Sequence, residues 1–146
     1  MTRILFVCSF NSARSQMAEA LARALARDDV EVASAGTHAT QVSPLALEAL
    51  RDRGVDTSGL YSKSLDQVVG EFDYVITLCH EADRECPHLT ARRERLHWPY
   101  PDPARTPGGA EAIRRAFVQT RDALEARLRQ WLDENGLLRD ARERTA

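Results

Sequence analysis

Lysine is almost missing from this 146-residue chain: Lys63 is its only one, and arginine supplies the other basic residues. The arginines are scattered rather than striped and the formal net charge is −2, which argues against nucleic acid or an anionic membrane surface as partner. Long apolar runs are lacking too. The run Ile4 to Cys8 is far shorter than the about 20 residues a bilayer-spanning helix takes, and no charged segment precedes an apolar stretch with a small-residue cleavage site. A cytoplasmic protein without membrane association is therefore expected. Cysteine is scarce, at three residues. In a reducing compartment three thiols are no disulfide framework; catalytic, redox or metal roles remain, with inert burial as the bland alternative. Internal repeats, low-complexity tracts and linkers are also wanting.

What is present suits one ordinary domain. The chain is 43% hydrophobic and 29% charged, and a chain of this size buries roughly 68–70% of its unfolded surface without staples. The domain is expected over residues 1–138, with 139–146 as a polar, frayed tail. Arg3 to Val7 reads as a buried strand, and Ser15 to Arg27 as an alanine-rich helix with Met17, Ala18, Leu21 and Leu25 at helical spacing. A second strand follows at Val30 to Ala35, closed by Gly36. Ser43-Pro44 opens a helix that Gly54 ends. A short helix over Leu65 to Val69, strands over Tyr74 to Leu78 and Leu96 to Trp98, and a long amphipathic helix over Gly109 to Glu134 complete the set. Strands alternating with helices predict an α/β three-layer sandwich on a four-stranded parallel sheet. Such sheets place their sites at the C-terminal ends of strands, so Cys8, Cys79 and Asp102 are expected at one edge.

Cys8 closes the first strand, and Arg14-Ser15 stand where the first helix begins. Unpaired N–H groups and the helix dipole make such a loop an oxyanion cradle, and the same field favours thiolate over thiol. Arg14 has the forked donor face that suits a tetrahedral oxyanion. Ser15 can donate to the sulfur, and Asn11 tolerates a left-handed turn. The spacing alone is moderately specific; its place between an apolar strand and a helix makes it strong.

Cys79 and Cys86 bracket a polar segment. Were that segment helical, their Cα atoms would stand roughly 10.5 Å apart at about 1.5 Å per residue, beyond the about 4.4–6.8 Å a disulfide takes. Pro87 blocks helix continuation, so unwinding is cheap and a movable dithiol is the functional reading. Two alternatives stand beside it: a zinc site from Cys79, His80, Cys86 and His88, whose spacing matches no common pattern, and two inert cysteines. Asp102, between Pro101 and Pro103, has a nearly fixed backbone and suits either a general acid or a plain turn residue. His38 and His97 read as surface or structural residues, and Arg92-Arg93-Glu94-Arg95 as a solvated face.

These motifs give the chain a resemblance to the thioredoxin-coupled arsenate reductases, which share the fold of the low-molecular-weight protein tyrosine phosphatases. The resemblance covers nearly the whole chain and is carried by Phe6–Glu19, Ser34-Ala35-Gly36, Val75–Asp83 with Cys86-Pro87, and His97–Ala104. It implies arsenate bound by the Ser9-Phe10-Asn11-Ser12-Ala13 loop and Arg14, with phosphate or sulfate as competing oxyanions. It also implies Cys8 as nucleophile, Asp102 as acid, and Cys79 then Cys86 as a redox pair that external thioredoxin reduces. No bound redox cofactor is needed, and a monomer is expected. That family commonly holds potassium with residues matching Asn11, Glu19 and Ser34 and an acid further on. Here that acid's region reads Ser62-Lys63-Ser64, so Lys63 can supply the positive charge itself. A phosphotyrosine phosphatase needs only Cys8, Arg14 and Asp102, but usually carries a tyrosine soon after the aspartate-proline pair, where Ala104 stands here. A non-enzymatic arsenite or metal sensor built on the dithiol is the third possibility.

Overall fold

The computed structural model describes residues 1–86 and 88–139. Four strands, β1 (Thr2–Cys8), β2 (Val30–Gly36), β3 (Tyr74–Thr77) and β4 (Glu94–His97), form one sheet in the order β2-β1-β3-β4. Every neighbouring pair is parallel. The helices are α1 (Arg14–Leu25), α2 (Pro44–Asp52), α3 (His80–Glu85) and α4 (Ala110–Glu134), with 3-10 turns at Leu65–Gln67 and Pro103–Arg105. Successive residues of a strand point to opposite faces. Ile4, Leu5, Phe6 and Val7 are all buried, so both faces of β1 are covered and the sandwich has three layers.

The elements follow from local chemistry. The hydroxyl of Ser43 accepts the Ala46 N–H at 3.4 Å and Pro44 takes the first helical position of α2. Helix α4 turns Phe117, Leu124, Leu128 and Leu132 into the core, each worth about 1.5–3 kcal/mol when fully buried. Trp131 meets Tyr74 and Trp98 edge-on, joining the end of α4 to the sheet.

Three expected boundaries shift by two residues. Helix α1 stops at Leu25 rather than Arg27, because Arg27 N–H is drawn to Leu137 O at 2.9 Å. The short helix expected to Val69 is one 3-10 turn ending at Gln67; Val69 is exposed, with nothing to pack against. The last strand begins two residues early, at Glu94, and Trp98 follows it, still donating to Thr77 O. Of the expected tail, 140–146 lie outside the described residues, as does Pro87; Arg139 N–H donates to Leu25 O at 2.8 Å. Among the described residues no helix is long and apolar enough to cross a membrane.

The register sets Cys8 beside Gly36, Val7 beside Thr77, and Thr77 beside His97. The C-terminal ends of all four strands thus share one edge, where the loops after β1, β3 and β4 converge.

Candidate active site

Between Cys8 and Arg14 the chain must turn from strand to helix, and Asn11 does so in the left-handed region at φ 48. The loop lies against Gly36: a Cβ there would come within 2.7 Å of Ser9 O and 2.8 Å of Asn11 N. Only glycine lets the two backbones approach so closely.

The loop's carbonyls are all engaged behind it. Ser9 O accepts from His38 N–H, Phe10 O from Thr40 N–H, and Ser12 O from Ser43 N–H. Asn11 O accepts from Gln16 Nε2 at 3.0 Å. A trans peptide sets each C=O antiparallel to the next N–H, so the N–H groups of Phe10, Asn11, Ser12 and Ala13 face the opposite way. None of them donates to another described residue. Helix α1 opens without a side-chain cap or an acidic residue in its first turn, leaving its dipole unneutralised. The nearly buried Arg14 guanidinium donates to Tyr100 O at 3.0 Å, which holds it across the loop.

Behind the thiol runs a buried chain of hydrogen bonds whose polarity is set at its far end. Glu19 Oε1 accepts a hydrogen bond from the Ser34 hydroxyl at 2.7 Å. Ser34 Oγ in turn accepts from Asn11 Nδ2 at 2.9 Å, and the same amide nitrogen donates to Ser15 Oγ at 2.7 Å. Ser15 Oγ lies 2.9 Å from Cys8 Sγ, and its one hydroxyl proton is the donor to the sulfur whenever that sulfur is a thiolate. Asn11 cannot flip, because its Oδ1 accepts Lys63 N–H at 2.9 Å and Gln16 Nε2 at 2.9 Å.

Lys63 is buried, with Nζ 3.4 Å from Glu19 Oε1, 3.2 Å from Tyr61 O, and 4.3 Å from the centre of the Tyr61 ring. A potassium ion would take its shell from these same oxygens. Each already has a donor of this chain: Lys63 on Glu19 and Tyr61 O, Ser34 on Glu19, Gln16 and Lys63 N–H on Asn11. Among the described residues, the one buried side-chain acceptor without a partner is Gln16 Oε1. A single oxygen is no cage, and the residues here do not fit bound potassium.

Two adjoining hollows open over the loop. One of about 300 Å³ is lined by Cys8, Ser12 and Ala13, and one of about 510 Å³ by Ser9 and Cys79; Phe10, Arg14 and Asp102 border both. Asp102 is also a turn residue, its Oδ1 accepting Ala104 N–H at 3.0 Å, so the two roles weighed for it are compatible. That bond fixes the carboxyl, and its other oxygen, Oδ2, lies 3.9 Å from Arg105 Nε.

Cys79 caps α3, its Sγ accepting Ala82 N–H at 3.4 Å and lying 3.4 Å from Ser9 Oγ. The second thiol therefore abuts the cradle. Cys86 sits at the other end of α3, and all three cysteines are free thiols. Burial pushes the Cys86 thiol above the ordinary cysteine value; Arg95 opposes this, while Glu85, Asp83 and Cys79 add to the rise. Among the described residues no group of three or more His, Cys, Asp or Glu stands close enough to hold a metal, which removes the four-residue zinc alternative.

Sequence reasoning missed Arg95. The run Arg92-Arg93-Glu94 is exposed as expected, but Arg95 turns inward and bonds the backbone beside Cys86. Its place on an edge strand after three charged residues gave no signal. His97 is structural as expected, bonded to Thr77 Oγ1 at 2.8 Å and His80 at 3.2 Å, and His38 pairs with Glu85 at the rim.

A thiol thus stands at the base of a strand–loop–helix cradle on the C-terminal edge of a parallel sheet. The chain belongs to the low molecular weight phosphotyrosine protein phosphatase family, whose model matches residues 3–143. Within it, the chain is 37% identical over 131 residues to an arsenate reductase of Halalkalibacterium halodurans, covering 89% of this chain and 94% of that one. An oxidised arsenate reductase superposes with a TM-score of 0.78 at 27% identity, over 92% of this chain and 98% of that one. A thioredoxin-dependent arsenate reductase of Corynebacterium glutamicum superposes with a TM-score of 0.69 at 28% identity, over 92% of this chain and 61% of that one.

Proposed function

We propose that this protein reduces arsenate to arsenite through Cys8, Cys79 and Cys86 in turn, with a thioredoxin-type dithiol in the cytoplasm as final reductant. The observation that carries the reading is the position of the second and third thiols. A hydrolase needs only Cys8, Arg14 and an acid; here Cys79 Sγ lies 3.4 Å from the cradle residue Ser9, and Cys86 waits one short helix away.

Arsenate, a tetrahedral oxyanion, is held by the inward N–H groups of the loop and the Arg14 fork. The Cys8 thiolate, steadied by the Ser15 hydroxyl, attacks arsenic. One oxygen leaves as water with the proton Asp102 supplies, leaving a Cys8–S–As(V) adduct. The Cys79 thiolate then attacks Cys8 Sγ; the S–As bond pair passes to arsenic, which departs as arsenite, and a Cys8–Cys79 disulfide remains. Cys86 attacks Cys79, releasing Cys8 as thiolate and forming Cys79–Cys86. A thioredoxin dithiol takes over that disulfide and returns both thiols. Lys63 Nζ stands 3.4 Å from Glu19 Oε1, where potassium would sit, and no step draws on that ion.

Cys79→Ser and Cys86→Ser are each expected to abolish multiple-turnover arsenate reduction with thioredoxin, thioredoxin reductase and NADPH, while hydrolysis of an aryl phosphate at Cys8 is largely retained. Undiminished arsenate turnover in both variants contradicts the relay. An aryl phosphate turned over efficiently by a protein that leaves arsenate untouched makes it a phosphatase.

A further inference from the structure

We propose that Arg95 is a positioning residue for the redox segment: its guanidinium holds Cys86 apart from Cys79 in the reduced protein, and so sets how readily the pair closes into a disulfide. The proposal rests on the reading that Cys79 and Cys86 pair during turnover.

Arg95 lies in β4, register partner of Val75, and its guanidinium reaches four acceptors on the stretch that carries the third thiol. Nη1 donates to Cys86 O at 2.6 Å and Leu89 O at 2.7 Å; Nη2 donates to Asp83 O at 2.9 Å and Asp83 Oδ1 at 3.1 Å. The carbonyls of Asp83 and Cys86 belong to the C-terminal end of α3, where the last turn leaves acceptors without intrahelical donors. One planar fork thus supplies what a longer helix would supply itself, and ties the third thiol's own peptide to the sheet. Asp83 is fixed from the other side by the Thr77 hydroxyl at 3.0 Å. Burial opposes ionisation of Asp83, but the bonds from Thr77 and Arg95, with the nearby His97, hold its carboxyl below the ordinary range.

A helical turn and more separates the two thiols, so disulfide formation has to unwind the end of α3 and carry Cys86 toward Cys79. The bond from Arg95 to Cys86 O is made by the residue that must travel. Whatever it contributes belongs to the reduced form and is lost on closure. Arg95 therefore slows the exchange at Cys79 and favours re-reduction by thioredoxin, two effects of one contact. Lysine cannot imitate it, since a point ammonium cannot span acceptors on both sides of a fork.

The test needs no arsenate. The intact protein is equilibrated in glutathione buffers of graded ratio, where oxidised glutathione plus the two thiols gives the disulfide and two reduced glutathiones. Thiols are then trapped by alkylation and the pairing mapped by peptide mass. Arg95→Met and Arg95→Lys are both expected to shift the equilibrium toward Cys79–Cys86 by about tenfold, about 30 mV for this two-electron couple. Asp83→Asn is expected to shift it the same way by less. Aryl phosphate hydrolysis at Cys8 should stay at the wild-type rate, which reports a folded cradle. An unchanged equilibrium in folded Arg95→Lys, or a shift in Arg95→Met alone, overturns the latch and points to charge or plain structure. A wild-type protein in which Cys79 and Cys86 never pair overturns the relay itself, a result distinct from a pair that forms but ignores Arg95.

Discussion

At the scale of the residue, the site depends on who donates to whom. Ser15 accepts from Asn11 and keeps its one proton for a Cys8 thiolate, and Asn11 is oriented by the Lys63 N–H on its Oδ1. Losing a hydrogen bond to a charged group costs about 1.5–3 kcal/mol. Ser15→Ala should therefore slow the Cys8 step about 10- to 100-fold, read as the kcat/KM of both arsenate reduction and aryl phosphate hydrolysis. Equal rates in wild type and variant would remove Ser15 from the chemistry. Gly36→Ala drives a Cβ to 2.7 Å from the Ser9 carbonyl. The cradle must shift, and both activities should fall at least about tenfold together with the melting temperature. Lys63 carries its own expectation: the melting temperature of the wild-type protein should be the same in potassium and sodium chloride at equal ionic strength. A specific rise in potassium would contradict the account of Glu19 as already paired.

At the scale of the element, α3 combines a buried start with a strained task. Its N-terminal Cys79 is packed against the cradle, while its C-terminal Cys86 is half-buried in a polar segment. Burial and neighbouring carboxylates raise the Cys86 thiol, so less thiolate exists at a given pH than in an ordinary cysteine. Its alkylation by iodoacetamide in the reduced protein should keep climbing, about tenfold per pH unit, past the ordinary cysteine range; a plateau near neutral pH would contradict this. The elements themselves were largely legible from sequence, since apolar runs and helical spacing report burial directly. β1, α1, α2 and α4 fall where Ile4–Val7, Met17–Leu25, Ser43-Pro44 and Phe117–Leu132 put them. The ends were less legible. Arg27 leaves α1 for a bond to Leu137, more than a hundred residues on, and Arg95 turns inward because acceptors at the end of α3 await it. Such tertiary bonds leave no local pattern.

At the scale of the whole molecule, the parallel sheet is what gathers the chemistry. Cys8, Cys79 and Asp102 come from three separate loops, and only a sheet whose strands all end at one edge brings them to one pair of hollows. That convergence could be foreseen from the order of elements. The direct abutment of Cys79 on Ser9 could not, because it arises from side-chain packing; the lysine among the oxygens behind the loop was foreseen only through the family resemblance. The cradle is common to the family and suits any tetrahedral oxyanion; the reductase claim turns on where the electrons for arsenic come from. Single turnover of Cys86→Ser with arsenate and no thioredoxin tests this most directly. One arsenite per chain and a trapped Cys8–Cys79 disulfide, found by peptide mass, are expected. Free Cys8 and Cys79 with no arsenite released would contradict it.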